Sequence, residues 1–337
     1  MHDVVALCRD ILRRQPKNFE ALYLDGLAHL HLGDSKNGRR QIKRSCKAYP
    51  PMKAFGYMEG LMRHQGITDT VAILERRLVE FKMFSGIDVF ALSYPKCGRT
   101  WARLVLGTYA LNGRDGDPLE VFRVSQNDPG LSTLYFSHDD GPHWRPVPTI
   151  HTYKSMYKGK KVVLFVRDPR DVLVSYFFQY TLRGDNKIAN DADFDGDLSD
   201  FIRHSIGGLQ SIVRFYNIWA AKREIPDEFL LMRYEDMRAD PLAAFKGLVA
   251  FLGWQDHGED SLKAAVAFGD FDNMKKLEQD NTLNNVRLKP PEDNNPEGFK
   301  VRRGKVGGYL DYFTDEDIAF VDDYLDRELD DFYIDYK

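Results

Sequence analysis

The residues 94 to 101, YPKCGRTW, stand between an apolar run, DVFAL (88 to 92), and a second one, ARLVLGTYAL (102 to 111). A buried strand that turns directly into a helix leaves the first backbone N–H groups of that helix without partners, aimed at whatever lies at the strand tip. Here Gly98 permits close backbone approach, Thr100 offers a hydroxyl, and Lys96 and Arg99 add positive charge, so the turn is an anion cradle. The pattern GxxxxGK[ST] is absent and the lysine precedes the glycine, which disfavours a nucleotide kinase or GTPase; an ATP-using kinase would also require magnesium. A second basic turn, RDPRDVLVSYF (167 to 177), follows KVVLFV with Arg167 and Ser175, and a third basic segment, VRRG (301 to 304), brings Arg302, Arg303 and Gly304. His138 closes the run STLYFSH (132 to 138), where an imidazole at a strand tip is by itself best read as an ordinary structural cap. His143 follows in GPHWRP. Cys97 beside a helix N-terminus admits a nucleophile reading, opposed by the lack of a sequence-adjacent histidine.

The elements that must position these groups begin near residue 84. Four runs, DVFALSY, STLYFSH, KVVLFV and EFLLMRY (228 to 234), alternate with helical segments, the pattern of parallel strands covered on both faces. The expected fold is a three-layer, P-loop-like α/β sandwich with a central parallel sheet, and ligands of such sheets sit at the carboxyl ends of the strands. Arg170 and Asp171 read as a solvated helix start. The segment 183 to 197 contains DADFDGD but no glutamate closing a twelve-residue loop, which favours a substrate-facing stretch over a calcium site. The proline- and asparagine-rich stretch 286 to 304 is expected to close over ligands.

Before residue 84 the pattern is helical. Sliding the chain by 34 positions lays Pro16 on Pro50, Tyr23 on Tyr57, Gly26 on Gly60 and Leu27 on Leu61, the period of the tetratricopeptide unit. Residues 18 to 34 and 37 to 50 would be one helix pair of it. A small all-α, tetratricopeptide-like domain over 1–83 is therefore expected to precede the catalytic domain over 84–337, with packing favoured over partner binding as its role.

Composition narrows the classes. The 337 residues carry a net charge of −4, which argues against a general nucleic-acid binder and makes any anion site local. Three scattered cysteines, Cys8, Cys46 and Cys97, are too few for a disulfide framework or a zinc cluster, and point to a reducing compartment. No apolar run nears the roughly 20 residues of a membrane helix. A cytoplasmic location is expected.

These motifs together resemble the cytosolic-type sulfotransferase family. YPKCGRTW meets six of eight positions of its Tyr-Pro-Lys-Ser-Gly-Thr-Thr-Trp signature; RDPRDVLVSYF is similar to its Arg-Asn-Pro-Lys-Asp-Val-x-Val-Ser-Tyr. RYEDMRADPLAAFKGLVAFLG (233 to 253) and VRRGKVGGYLDYFT (301 to 314) resemble its remaining segments, in the same order. The resemblance implies a five-stranded parallel sheet and the donor 3′-phosphoadenosine 5′-phosphosulfate, leaving adenosine 3′,5′-bisphosphate, with no metal. It implies Lys96, the Cys97 N–H, Gly98, Arg99, Thr100 and Trp101 around the phosphosulfate and adenine, and Arg167, Ser175, Arg302, Arg303 and Gly304 around the 3′-phosphate. Tyr234, Phe271 and Met274 would sit at the base of the site, Lys96, His138 and Ser175 are the catalytic candidates, and the family's strand-end histidine implies His138 as general base with His143 as runner-up. His138 lies farther ahead of Arg167 than in the family's Lys-Thr-His-Leu-Pro context; Cys97 and Arg99 replace a serine and a threonine. The family's dimer motif is not met by LDYFTDEDIAF (310 to 320). The implied activity is sulfuryl transfer to a hydroxyl of a carbohydrate, phenol, lipid or natural-product alcohol. The alternative is a silent nucleotide-binding scaffold that recruits a protein partner through its helices.

Overall fold

A computed structural model of the chain describes residues 2–48, 86–122, 134–139, 141–152, 154–183, 194–254, 256–291, 293 and 295–337. Two compact units appear, Met1–Gly86 and Ile87–Lys337.

The first unit contains α1 (His2–Arg14), α2 (Phe19–His31) and α3 (Ser35–Ala48). Val4, Val5 and Cys8 share one face of α1 and pack with Leu24, Leu27 and Ala28 of α2, the one-turn spacing that puts apolar side chains on one stripe. Burial pushes the Cys8 thiol up to about 12, so it behaves as a small apolar filler. Gln41 of α3 donates to Asp25 of α2 at 2.5 Å, and Asp34 accepts from the Asn37 N–H at 3.1 Å to open α3. The pair α2–α3 covers the segments expected to pair. The second copy of the 34-residue period, with Pro50, Tyr57, Gly60 and Leu61, lies outside the described residues. One helix pair is not a repeat, and the tetratricopeptide assignment is not supported.

The second unit is α/β. Four strands, β1 (Val89–Ser93), β2 (Leu134–Ser137), β3 (Lys161–Val166) and β4 (Glu228–Arg233), form one parallel sheet in the order β2-β1-β3-β4. They coincide with the four apolar runs; among the described residues the sheet has four strands where the family resemblance implied five. The interior strands are wholly buried in β1 and buried from Val162 onward in β3, which is why neither alternates. Parallel pairing demands helical crossovers. α4 (Arg99–Leu111) follows β1, α5 (Pro169–Leu182) follows β3, and α6 (Leu198–Arg203) and α7 (Leu209–Lys222) lead to β4. After β4 come α8 (Tyr234–Ala239), α9 (Pro241–Leu252), α10 (Glu259–Phe268), α11 (Phe271–Gln279) and α12 (Asp315–Glu328). Among the described residues no helix is long and apolar enough to cross a membrane.

The start of α5 departs from expectation. Arg170 and Asp171 are buried, not solvated. Asp168 caps the helix by accepting from the Arg170 N–H, while the Arg170 guanidinium reaches Asp322 at 2.8 Å and the Tyr336 carbonyl at 3.1 Å. Arg170 thereby ties α5 to α12 and the chain end, a role that residues far away in sequence impose on a helix start.

Candidate active site

A cavity of about 250 Å³ is lined by the tips of the β1, β2 and β3 connections together with residues from α8, α11 and the stretch 287–308. β1 ends because Pro95 cannot donate to a ladder. Lys96 (φ 71°) and Gly98 (φ 85°) then take left-handed backbone, turning the chain into α4 with its N-terminus toward the cavity. A Cβ on Gly98 would lie 2.9 Å from the Tyr234 ring, so this position needs glycine for both conformation and space. Lys96 lines the cavity, and burial, with Lys300 and Arg183 nearby, lowers its ammonium to about 7. Arg99, Thr100 and Trp101 also line it. Cys97 does not: its thiol is buried against the Pro95 carbonyl and the Tyr216 hydroxyl, and burial pushes it up to about 12. The nucleophile reading of Cys97 falls with that, and only its backbone is left for a ligand.

His138 is oriented by strand register. β2 pairs with β1 as Leu92 with Ser137, so the next pair of positions sets His138 beside Ser93. The Ser93 carbonyl can only accept, and it lies 2.9 Å from Nδ1; Nδ1 therefore carries the proton. Nε2 is left as an acceptor, and Arg99 Nη2 donates to it at 2.6 Å. Burial, with Arg99 and His143 close by, holds the imidazole well below its ordinary pKa, so it is neutral. His143 sits behind it, ring centroids 5.0 Å apart, enclosed by Tyr94, Tyr176 and Trp144. Of the two histidines, His138 lines the cavity and His143 does not.

Asp139 supports this strand tip, a role that was not legible beforehand. Its buried carboxylate accepts from Lys154 at 2.5 Å, Tyr157 at 2.6 Å and Trp219 at 2.8 Å. Removing one partner of such a pair strands the other charge. Asp139→Ala is expected to destabilise the domain by about 3–5 kcal/mol, read as a lower urea midpoint; an unchanged midpoint would refute the buttress.

The β3–α5 connection supplies Arg167, Asp171, Ser175 and Gln179, a four-residue spacing that stacks them along one face of the helix toward the cavity. Val166 pairs with Arg233, so Arg167 and Tyr234 leave adjacent strand tips, and the guanidinium lies 4.3 Å from the Tyr234 ring centroid. Arg167 also donates to Asp171 at 3.2 Å and the Lys305 carbonyl at 2.9 Å, while its Nε is buried without a partner. Asp171 further accepts from the Gly307 and Tyr309 N–H groups, docking the segment that carries Arg302, Arg303 and Gly304. Arg302 is paired with Glu297 and Arg303 with Asp311. Trp101, Tyr234, Phe271 and Met274 make an aromatic side of the cavity, with Arg238 5.8 Å from both the Trp101 and Phe271 rings. A Cβ on Gly304 (φ 60°) would meet the Phe271 ring at 2.5 Å, so these two positions are fitted to each other.

Every site residue singled out in the sequence thus lines one cavity, Cys97 and His143 excepted. Arg103, Asp171, Arg238, Arg287, Lys300 and Lys305 line it too and were not foreseen. Arg103 and Asp171 each fall one turn after a basic residue already noticed, a signal that was readable. Among the described residues, ten lysine and arginine side chains line the cavity against one carboxylate, Asp171.

The sulfotransferase domain model matches residues 87–333. The chain is 27% identical over 303 residues to flavonol 3-sulfotransferase of Flaveria bidentis, covering 80% of this chain and 91% of that one. It is 30% identical over 242 residues to sulfotransferase 2A1 of Mus musculus, covering 67% and 79%. The crystal structure of retinol dehydratase in complex with androsterone and inactive cofactor PAP aligns with a TM-score of 0.51 at 20% identity, over 72% of this chain and 81% of that one. That alignment is a likeness of fold.

Proposed function

The chain belongs to the sulfotransferase domain family, and we propose that it moves a sulfuryl group from 3′-phosphoadenosine 5′-phosphosulfate to an acceptor hydroxyl of a carbohydrate, phenol or natural-product alcohol, with His138 as base. What carries this reading is the convergence of Lys96, His138, Arg167, Ser175 and Arg302, from four separated segments, on one cavity at the strand tips. The residues suit such a donor. Arg167 Nε and Trp101 Nε1 are buried polar atoms with no partner, and buried donors in that condition call for an acceptor. Arg167, Ser175, Arg302 and Arg303 would hold the 3′-phosphate, a guanidinium fork matching phosphate oxygens. Trp101, Tyr234 and Phe271 would take the adenine, and Lys96, Gly98 and Thr100 the phosphosulfate end.

The bound donor supplies the sulfuryl group and a phosphate leaving group, the sulfur–phosphate oxygen bond breaking as the acceptor oxygen bonds to sulfur. The protein's part is placement and charge. Lys96 neutralises charge growing on the leaving oxygen, as preorganised cations do in phosphoryl transfer. His138 takes the acceptor's proton at Nε2, because its Nδ1–H is committed to Ser93. Ser93 and Asp139 hold ring and strand tip in position.

Calorimetry tests the donor site. Adenosine 3′,5′-bisphosphate is expected to bind more tightly than adenosine 5′-phosphate, and Arg167→Ala to remove about 1.5–3 kcal/mol of that binding, the worth of a hydrogen bond to a charged group. Absence of heat, or equal affinity for the two nucleotides, would overturn the reading.

A further inference from the structure

Three guanidinium groups cluster in the cavity, and one of them, Arg99, touches His138. Arg99 donates through Nη2 to His138 Nε2, and its Nη1 is buried with no partner. Arg103 lies one turn along α4, donating to the Leu119 carbonyl at 3.2 Å and covering the Phe136 ring at 4.3 Å; it has no ion pair among the described residues. Arg287 enters from the loop opposite and pairs with Glu120, which Asn285 also holds at 2.8 Å. Among the described residues these three positive groups stand near two carboxylates, Glu120 and Asp117, both held by Asn285 Nδ2, so positive charge is in excess near the proposed base. All three line the cavity, and none of the three is needed for the 3′-phosphate.

This surplus is costly where it stands. Burial lowers Arg99 to about 9 and Arg103 to about 10, with Arg103 beside Arg99 and Arg287 beside both adding repulsion. An anion placed among them would offset that repulsion and satisfy Arg99 Nη1.

The Arg99–His138 hydrogen bond adds a second constraint. An acceptor hydroxyl has to reach the Nε2 lone pair that Arg99 occupies, so the guanidinium must leave it. A departing guanidinium in a buried site requires another acceptor, or a donor group is left unpaired. An acceptor that brought a negative group with its hydroxyl would supply that partner and free the base in the same motion. A neutral phenol or alcohol would displace Arg99 with nothing to receive it.

Resting on the sulfotransferase reading, we infer that the acceptor is an anionic alcohol or phenol, bearing a carboxylate, sulfate or phosphate that Arg99, Arg103 and Arg287 seat beside His138.

The test uses the full chain saturated with adenosine 3′,5′-bisphosphate, titrated calorimetrically with matched probes. These are the three hydroxybenzoates against the corresponding hydroxybenzamides, and 4-nitrophenyl glucuronide against 4-nitrophenyl glucoside. At least one carboxylate is expected to bind about tenfold or more tightly than its neutral partner, with the preference shrinking as salt is raised. Arg103→Gln and Arg287→Gln should each cut that preference several-fold while leaving nucleotide affinity unchanged, which also certifies their folding. If no carboxylate is preferred in the unaltered chain, or if the preference survives both substitutions, the inference is overturned. Failure of adenosine 3′,5′-bisphosphate to bind at all would instead strike the donor reading on which it rests.

Discussion

His138→Ala is expected to lower kcat by about 10²–10⁴-fold, the usual worth of a positioned general base, and to leave the affinity for adenosine 3′,5′-bisphosphate unchanged. The split follows from geometry: the imidazole touches Ser93 and Arg99, not the cluster of Arg167, Ser175 and Arg302. His143→Ala, by contrast, removes a ring packed among Tyr94, Tyr176 and Trp144 and should show itself first as lost stability. The pH profile of kcat/KM carries a further signature. A base is active when neutral, and burial together with the neighbouring Arg99 depresses His138. The acid limb should accordingly fall well below the ordinary histidine pKa of about 6.5. Undiminished turnover in His138→Ala would remove it from the chemistry.

Lys96→Ala is expected to cost about 10²–10³-fold in kcat, comparable with deleting one preorganised donor at a centre of developing charge. Donor affinity should carry the lysine's titration as well. Burial lowers Lys96 to about 7, and an anionic ligand stabilises the protonated form and raises that value. Affinity is then full below pH 7 and weakens as pH rises from about 7 toward the higher value of the complex. Calorimetry with adenosine 3′,5′-bisphosphate between pH 6 and 9 measures it, and Lys96→Met should abolish this part of the dependence. A flat profile in the unaltered chain, or full activity of Lys96→Ala, would contradict the role given to the ammonium.

Much of the site was legible because its parts are local. A strand, a left-handed turn and a helix N-terminus are encoded within eight residues at Tyr94–Trp101, and the same is true of the β3–α5 turn at Arg167–Ser175. Such segments advertise a phosphate cradle before anything packs against them. Arg302, Arg303 and Gly304 were legible through the likeness of VRRGKVGGYLDYFT to a segment of the family. What escaped was long-range. Nothing local to Asp139 signals its role, because Lys154, Tyr157 and Trp219 converge on it from 15 to 80 residues away. Arg170 looked solvent-facing until Asp322 and the Tyr336 carbonyl, more than 150 residues on, claimed it. The helical period near the N-terminus is left without support, since its second copy lies outside the described residues.

The residue string alone marked which groups are candidates for the chemistry and on which local elements they ride, because anion cradles at helix starts need only neighbouring residues. Tertiary structure alone decided which histidine faces the cavity, which thiol is hidden, and which cations share the base. Those outcomes depend on parallel register, with Ser93 set beside His138, and on a loop that lays Arg287 against Glu120 and near Arg99. Burial and mutual charge, which set the protonation of Lys96 and His138, arise only once distant segments have closed around them.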